Sequence, residues 1–316
     1  MSEKLKGTVV KSTGNLYRVR TSNNQIIDCK LRGKFRIHGI KTTNPVVVGD
    51  YVLFIKDPQQ AYGLITDIEN RKNYITRKST NLSHISHILA ANLDCVFLIV
   101  TIDFPQTPLG FVDRFLTATE SFRIKSILIF NKIDLYTEEN LLQLEEWKSM
   151  YEKIGYTCLS VSAVTHEGLD DLKNLMKNKV SFFGGQSGVG KSTLINALDS
   201  SLNLSVGDIS DYYKKGRHTT TFAEMFELSF GAQIIDSPGI REFGLIQYEK
   251  EEVSHYFPEM LRLLPQCKFN NCTHTHEPQC AVKEALEKGE ISKSRYFNYI
   301  SIIENEDIDL KDWMLR

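Results

Sequence analysis

The sequence predicts a multidomain chain of three unlike parts: an N-terminal OB-like β-barrel, a central α/β domain and a mostly α-helical C-terminal domain. Three observations carry that prediction. Five short alternating strands, separated by turn signals, occupy roughly the first 70 residues. From Asp94 onward, continuous apolar runs such as CVFLIV alternate with helical stretches, as strands buried on both faces do. Beyond Glu251, three of the six cysteines fall within Cys267–Cys280. The expected domains are residues 1–72, 73–247 (opening with a linker at about 73–90) and 248–316.

Composition narrows the class. The 316 residues are 41% apolar and 24% charged, without repeats or low-complexity tracts, as in ordinary globular proteins. No apolar run is long enough to cross a bilayer, and MSEKLKGTVV lacks an apolar signal core, so a cytoplasmic protein with no membrane partner is expected. Nothing demands more than a monomer. The net charge of −1 conceals an asymmetry. Residues 1–90 hold fifteen Lys and Arg against six Asp and Glu, whereas the rest hold 23 against 33. A basic head on an acidic body points to a polyanion at the N-terminal end.

The head reads as strands KGTVVKS, NLYRVRTS, QIIDCKLRG, GDYVLFIK and YGLITDIEN, the pattern of a small barrel. Its long third connection, Arg32–Thr43, carries Arg32, Lys34, Arg36, His38 and Lys41, which suit RNA phosphates or, more simply, a solvated loop. Tyr17, Phe35 and Tyr62 could stack on unpaired bases or fill the core. Residues 71–92 read as a basic linker, in which His84 and His87 have no metal-ligand company.

The chemistry of the central domain lies in four elements. VSFFGGQSGVGKST is a strand, then G-x-x-x-x-G-K-[ST], then a helix start, the context of a phosphate-binding loop. Gly185, Gln186, Ser187, Gly188, Val189, Gly190, Lys191, Ser192 and Thr193 would wrap a nucleoside triphosphate. Lys191 would neutralise phosphate charge, and the Ser192 hydroxyl would bind Mg²⁺. Asn131, Lys132, Ile133 and Asp134 form N-K-x-D after the strand KSILIF. The Asp134 carboxylate can accept both N1–H and N2–H₂ of guanine, a donor pair that adenine lacks. Asn131 can serve the base's acceptor side, and the Lys132 stem can lie over its face. Ser162 and Ala163 end the next strand, where a backbone N–H could meet guanine O6. Downstream, GRHTTT and DSPG read as two switch segments. Thr220 (preferred over Thr219) would complete the Mg²⁺ shell, Asp236 would hold the ion through water, and the Gly239 N–H would reach the γ-phosphate.

In the tail, Cys267, Cys272, His274 and Cys280 give C-x₄-C-x-H-x₅-C, with His276 as an alternative ligand. Three thiolates and one imidazole suit a closed, structural Zn²⁺.

The guanine elements come in an unusual order: NKID and SA precede the phosphate loop, HTTT and DSPG. With the basic head and the Cys/His tail, the whole chain resembles the circularly permuted, small-ribosomal-subunit-dependent GTPases of bacteria, the ribosome biogenesis GTPase RsgA family. That resemblance implies a GTP hydrolase acting late in small-subunit maturation. It implies binding to the small ribosomal subunit and its ribosomal RNA, release on hydrolysis to GDP, and a zinc site using His274. One departure from Ras-like chemistry stands out. Ile240 follows DSPG where a water-orienting glutamine would sit, and an apolar side chain cannot orient water. His218 is a candidate replacement, or ordinary switch packing. Slow intrinsic turnover, stimulated by the subunit, is therefore expected. The competing readings are an RNA-binding scaffold with negligible turnover and an ATP-using enzyme, the latter disfavoured by NKID. Permutation also runs DSPG through Ile240–Lys250 into the last domain, a short tether that could carry nucleotide state.

Overall fold

The computed structural model describes residues 3–31, 45–56, 60–78, 86–202, 223–236 and 248–304. The basic connection 32–43, the first switch segment with His218 and Thr220, and Gly239, Ile240 and the tether up to residue 247 lie outside them.

Strands β1 (Glu3–Ser12), β2 (Tyr17–Thr21), β3 (Ile26–Leu31), β4 (Tyr51–Lys56) and β5 (Gly63–Ile68) pair in the order β1-β2-β3-β5-β4. β4 then returns to β1, closing the five-stranded barrel. Alternation sends Val19, Ile27, Cys29, Phe54 and Ile65 inward. Tyr17 is in this core, 2% exposed, so it fills the barrel and offers no stacking face. Tyr62 is different, with the Lys30 ammonium 3.9 Å from its ring centroid.

Residues 71–92, expected as a linker, instead contain β6 (Tyr74–Lys78) and β7 (Ser86–Ala91), paired antiparallel. The apolar residues of this stretch that pack, among them Tyr74, Ile75, Ile88 and Ala91, lie among basic ones and follow no clean alternation. β7 also locks the barrel to the central domain. Gly49, at φ +93°, lies so close to Ala91 that a Cβ would overlap its carbonyl oxygen. Ala91 N–H donates to the Val48 carbonyl, and Arg71 clasps the fully buried Asp50 carboxylate with two 2.7 Å bonds.

The central sheet runs β10-β9-β8-β11-β13-β12: β8 (Cys95–Val100), β9 (Lys125–Phe130), β10 (Thr157–Ser160), β11 (Val180–Gly184), β12 (Glu224–Glu227) and β13 (Gln233–Asp236). All are parallel save β12, which runs antiparallel to β13. Every residue of β8 is buried because both faces are covered. Val96, Leu98 and Val100 face helices α1 (Leu109–Ser121) and α2 (Glu138–Ile154), where Trp147 packs. Phe97 and Ile99 face α3 (Leu169–Met176) and α4 (Lys191–Leu198). α2 starts in a Thr137–Asn140 capping box and ends at Gly155.

The C-terminal domain holds short helices α5 (Lys250–Val253) and α6 (Pro258–Leu261), then α7 (Ala281–Glu287) and α8 (Lys293–Glu304). It docks on α1 through a buried polar cluster. Asp113 accepts from Arg295 Nη1 (2.6 Å), Asn298 Nδ2 (2.5 Å) and Tyr151 Oη (2.8 Å), while Glu259 takes the other side of the guanidinium. Among the described residues, no helix is long and apolar enough to cross a membrane.

Candidate functional site

β9, β10, β11 and β13 end on one edge of the sheet, the position where open α/β sheets bind ligands. NKID follows β9, Ser162-Ala163 follows β10, the glycine-rich loop follows β11, and Asp236 is the last residue of β13. The inverted order in sequence is thus undone in space.

The loop is a left-handed cradle: Gly185, Gly188 and Gly190 take φ of 142°, 85° and 92°. At Gly190, the residue before α4, a Cβ would lie 2.5 Å from Asn131 Nδ2. Only glycine lets the Asn131 turn approach this closely. Asn131, 1% exposed, donates from Nδ2 to the Val189 carbonyl at 2.9 Å. The Lys132 ammonium donates to the Gly188 carbonyl at 2.6 Å and to that of Phe104. Burial lowers the pKa of Lys132, with Asp134 acting in the opposite sense. Its backbone is left-handed, φ 66°, which turns the chain sharply at the strand end. Two elements 56 residues apart in sequence are therefore tied together.

Asp134 is exposed, and Ser162 Oγ donates to its Oδ1 at 2.5 Å. The same hydroxyl accepts from the amides of Val164 (3.2 Å) and Thr165 (3.0 Å). That threefold arrangement aims one carboxylate oxygen. The Ser162 amide donates to the Glu167 carbonyl at 3.0 Å. At the other end, the Lys191 ammonium spans the loop to the Gly185 (2.7 Å) and Gln186 (2.6 Å) carbonyls. Ser192 and Thr193 sit in the first turn of α4, with Gln186, Ser187 and Ile133 on the flanking turns.

Sequence reasoning missed a further wall, residues Thr101–Thr107 between β8 and α1. Phe104, at φ 61° and 52% exposed, presents its carbonyl to Lys132, and Pro105 packs beside Gly188. Tyr136 staples this wall to NKID: its hydroxyl donates to the Asn131 carbonyl and accepts from the Ile102 amide, both at 2.8 Å. Burial pushes the phenol up to about 12, which keeps that proton in place. Phe104-Pro105 matches no motif. The tyrosine two residues past Asp134 was the available signal.

In the C-terminal domain, the ligating atoms of Cys267, Cys272, His274 and Cys280 all lie within 4.8 Å of one another. His274 Nδ1 is 3.8 Å from Cys267 Sγ and 3.3 Å from Cys280 Sγ. A tetrahedral Zn²⁺ with Zn–S near 2.3 Å and Zn–N near 2.0–2.1 Å gives ligand–ligand edges of about 3.5–3.8 Å. The two His274–cysteine separations lie close to those edges, and the donor set is soft and mostly buried. His276 is exposed and bonds Thr275, so His274 is the imidazole of the cluster. Glu277, not foreseen, ties the Thr273–Thr275 turn together. Burial opposes its charge, yet donation from Thr273 and Thr275 brings its pKa down to about 2. None of the six cysteines is in a disulfide.

Residues 68–246 match the RsgA GTPase family model, and residues 6–65 match that of the RsgA N-terminal domain. The chain is 54% identical to the small ribosomal subunit biogenesis GTPase RsgA of Flavobacterium psychrophilum, over 95% of this chain and 93% of that protein. It is 49% identical to the protein of the same name from Bacteroides fragilis, covering 96% and 97%. Among solved structures, it resembles YjeQ from Thermotoga maritima, with a TM-score of 0.78 and 36% identity over 96% and 98% of the two chains. It also resembles YloQ, a circularly permuted GTPase, with a TM-score of 0.75 and 28% identity over 98% and 96%.

Proposed function

The chain belongs to the RsgA GTPase family, and on that premise we propose that it hydrolyses GTP as a late maturation factor of the small ribosomal subunit. In this reading the barrel and the C-terminal domain hold ribosomal RNA, and hydrolysis to GDP releases the factor. The observation that carries it is the tie between Asn131-Lys132 and Val189-Gly188, which assembles guanine reading and phosphate binding in one site. Membership of a GTPase family also sets aside the scaffold without turnover.

Each residue then has a role. Asp134, aimed by Ser162, accepts the guanine N1–H and N2–H₂; Ala163 donates to O6; the Lys132 stem covers the base. Backbone amides from Gly185 to Thr193 wrap the phosphates. Lys191 exchanges its two carbonyl partners for phosphate oxygens, a stronger charge-assisted pairing. Ser192, Thr220 and Asp236 would hold Mg²⁺, which would supply neutralisation of the phosphate charge. Gly239 is assigned to the γ-phosphate and His218 to the attacking water.

Cys267, Cys272, His274 and Cys280 are assigned one structural Zn²⁺. Cys272→Ser should release about one equivalent of zinc per chain, read with a colorimetric chelator. Full metal retention in that variant would remove Cys272 from the ligand set.

The decisive experiment is phosphate release with and without small ribosomal subunits. We expect at least roughly tenfold stimulation, about 1.4 kcal/mol of barrier, because no glutamine follows DSPG. Stimulation should also decline steeply with salt, since phosphate contacts release counterions. Turnover indifferent to added subunits would sink the proposal. Deleting the barrel is a poor control, because Val10 and Val48 belong to the same core cluster as Val96 and Ile235.

A further inference from the structure

β12 occupies a singular place in this fold. It joins the two segments read as switches, starting at Glu224, three residues after Thr221, and it returns through β13 to Asp236. In a solitary GTPase sheet such a strand would be an open edge. Here β1 of the barrel covers it: Lys11 stands opposite Glu224, and the Ser12 amide donates to the Ala223 carbonyl at 3.2 Å. The two domains thereby share one eleven-stranded sheet.

Side chains reinforce the seam at both ends of β12. The Lys11 ammonium pairs with Glu224 at 2.5 Å, and Arg20 Nη1 of β2 pairs with Glu227 at 2.5 Å. Arg20 is 14% exposed on its side chain and also reaches Met225 Sδ at 3.8 Å. Beneath them, Val10 packs in one cluster with Met225 and Ile235, while its neighbour Val9 points into the barrel core. β1 is thus wall to both bodies. It also closes the barrel on β2 and β4, so it cannot shift without moving the barrel wall.

We propose that the β1–β12 seam is a lever between the nucleotide switches and the barrel, with Lys11–Glu224 and Arg20–Glu227 as its fasteners. Nucleotide state displaces β12 and is felt by the barrel through β1. What the barrel binds is returned to the switches by the same contact, with equal coupling in both directions. This rests on the reading of the chain as a GTP-switched, RNA-binding factor. It differs from the tether to the C-terminal domain, since it runs through the β1–β12 pair to the barrel.

The test is hydrogen exchange of the β1 amides, residues 5–12, in full-length protein bound to GDP or to a non-hydrolysable GTP analogue. The wild type should show exchange rates differing by at least roughly threefold between the two states. The difference should vanish in the double variant Glu224→Lys/Glu227→Arg. It should return when Lys11→Glu and Arg20→Glu are added to that variant, which restores both pairs with reversed polarity. A merely structural seam would gain thermal stability from that restoration without regaining nucleotide dependence. β1 exchange that is indifferent to nucleotide in the wild type overturns the lever, as does dependence surviving in the double variant. A single-stranded RNA oligonucleotide, titrated in both states, separates this from the parent reading. Absence of RNA binding in either state would refute the barrel's assignment, while the exchange result still decides the lever.

Discussion

Asp134→Asn is expected to lower GTP affinity by roughly 5- to 150-fold and to shift preference towards xanthosine nucleotides. The carboxylate has two acceptor oxygens for the two guanine donors, and a well-formed bidentate base contact is worth about 1–3 kcal/mol. An asparagine keeps one acceptor and sets an N–H₂ against the guanine amino group, so one donor pair collides. Xanthine carries an oxygen at that position and restores the match. The structure sharpens the expectation, because Ser162 donates to Oδ1 and orients the group. Ser162→Ala should therefore weaken guanine preference in the same direction and by less. Equilibrium titration with fluorescent GDP and xanthosine diphosphate reads both. Unchanged guanine preference in Asp134→Asn would remove Asp134 from the site.

Arg295→Met should cost about 3–5 kcal/mol of stability, the usual penalty for stripping one partner from a buried ion pair. Arg295 and Asp113 are each 1% exposed on their side chains, in a cluster that joins α1 to α8. The guanidinium also lies 4.4 Å from the Phe257 ring centroid, and Glu259 would lose its partner as well. The deficit should depend on pH. Burial raises the Asp113 pKa even with Arg295 opposing it, so the folded state favours its protonated form more than the unfolded state does. A raised carboxyl contributes stability at low pH and loses it as pH rises through the folded value. In the variant, with the opposing cation gone, the loss should be smaller at acidic pH and larger near neutrality. Thermal melts across that range check it. An unchanged midpoint would show that the cluster adds nothing net to docking.

The local motifs were legible because each rests on a spacing set by backbone geometry. Glycines at 185 and 190, followed by Lys191 and Ser192, announce a phosphate cradle, and the cradle has the left-handed φ values that only those residues adopt cheaply. The same holds for the Cys267–Cys280 spacing and for the continuous apolar run of β8. Eleven of the thirteen strands among the described residues, and the longer helices, follow from periodicity; β6 and β7 do not, because their few apolar residues sit in a basic stretch. The wall at Phe104-Pro105 was invisible for another reason. Its contribution is a backbone carbonyl, and no side-chain pattern advertises a carbonyl.

Sequence by itself determined the class of ligand, the base preference, the metal donor set and the three-part architecture, since these depend on residues close together in the chain. Tertiary structure alone decided how the parts meet. Asp113 gives no hint of Arg295, 182 residues away, nor Lys11 of Glu224, 213 residues away. Such pairs are chosen by which surfaces pack together, and packing is a property of whole faces that no local spacing encodes.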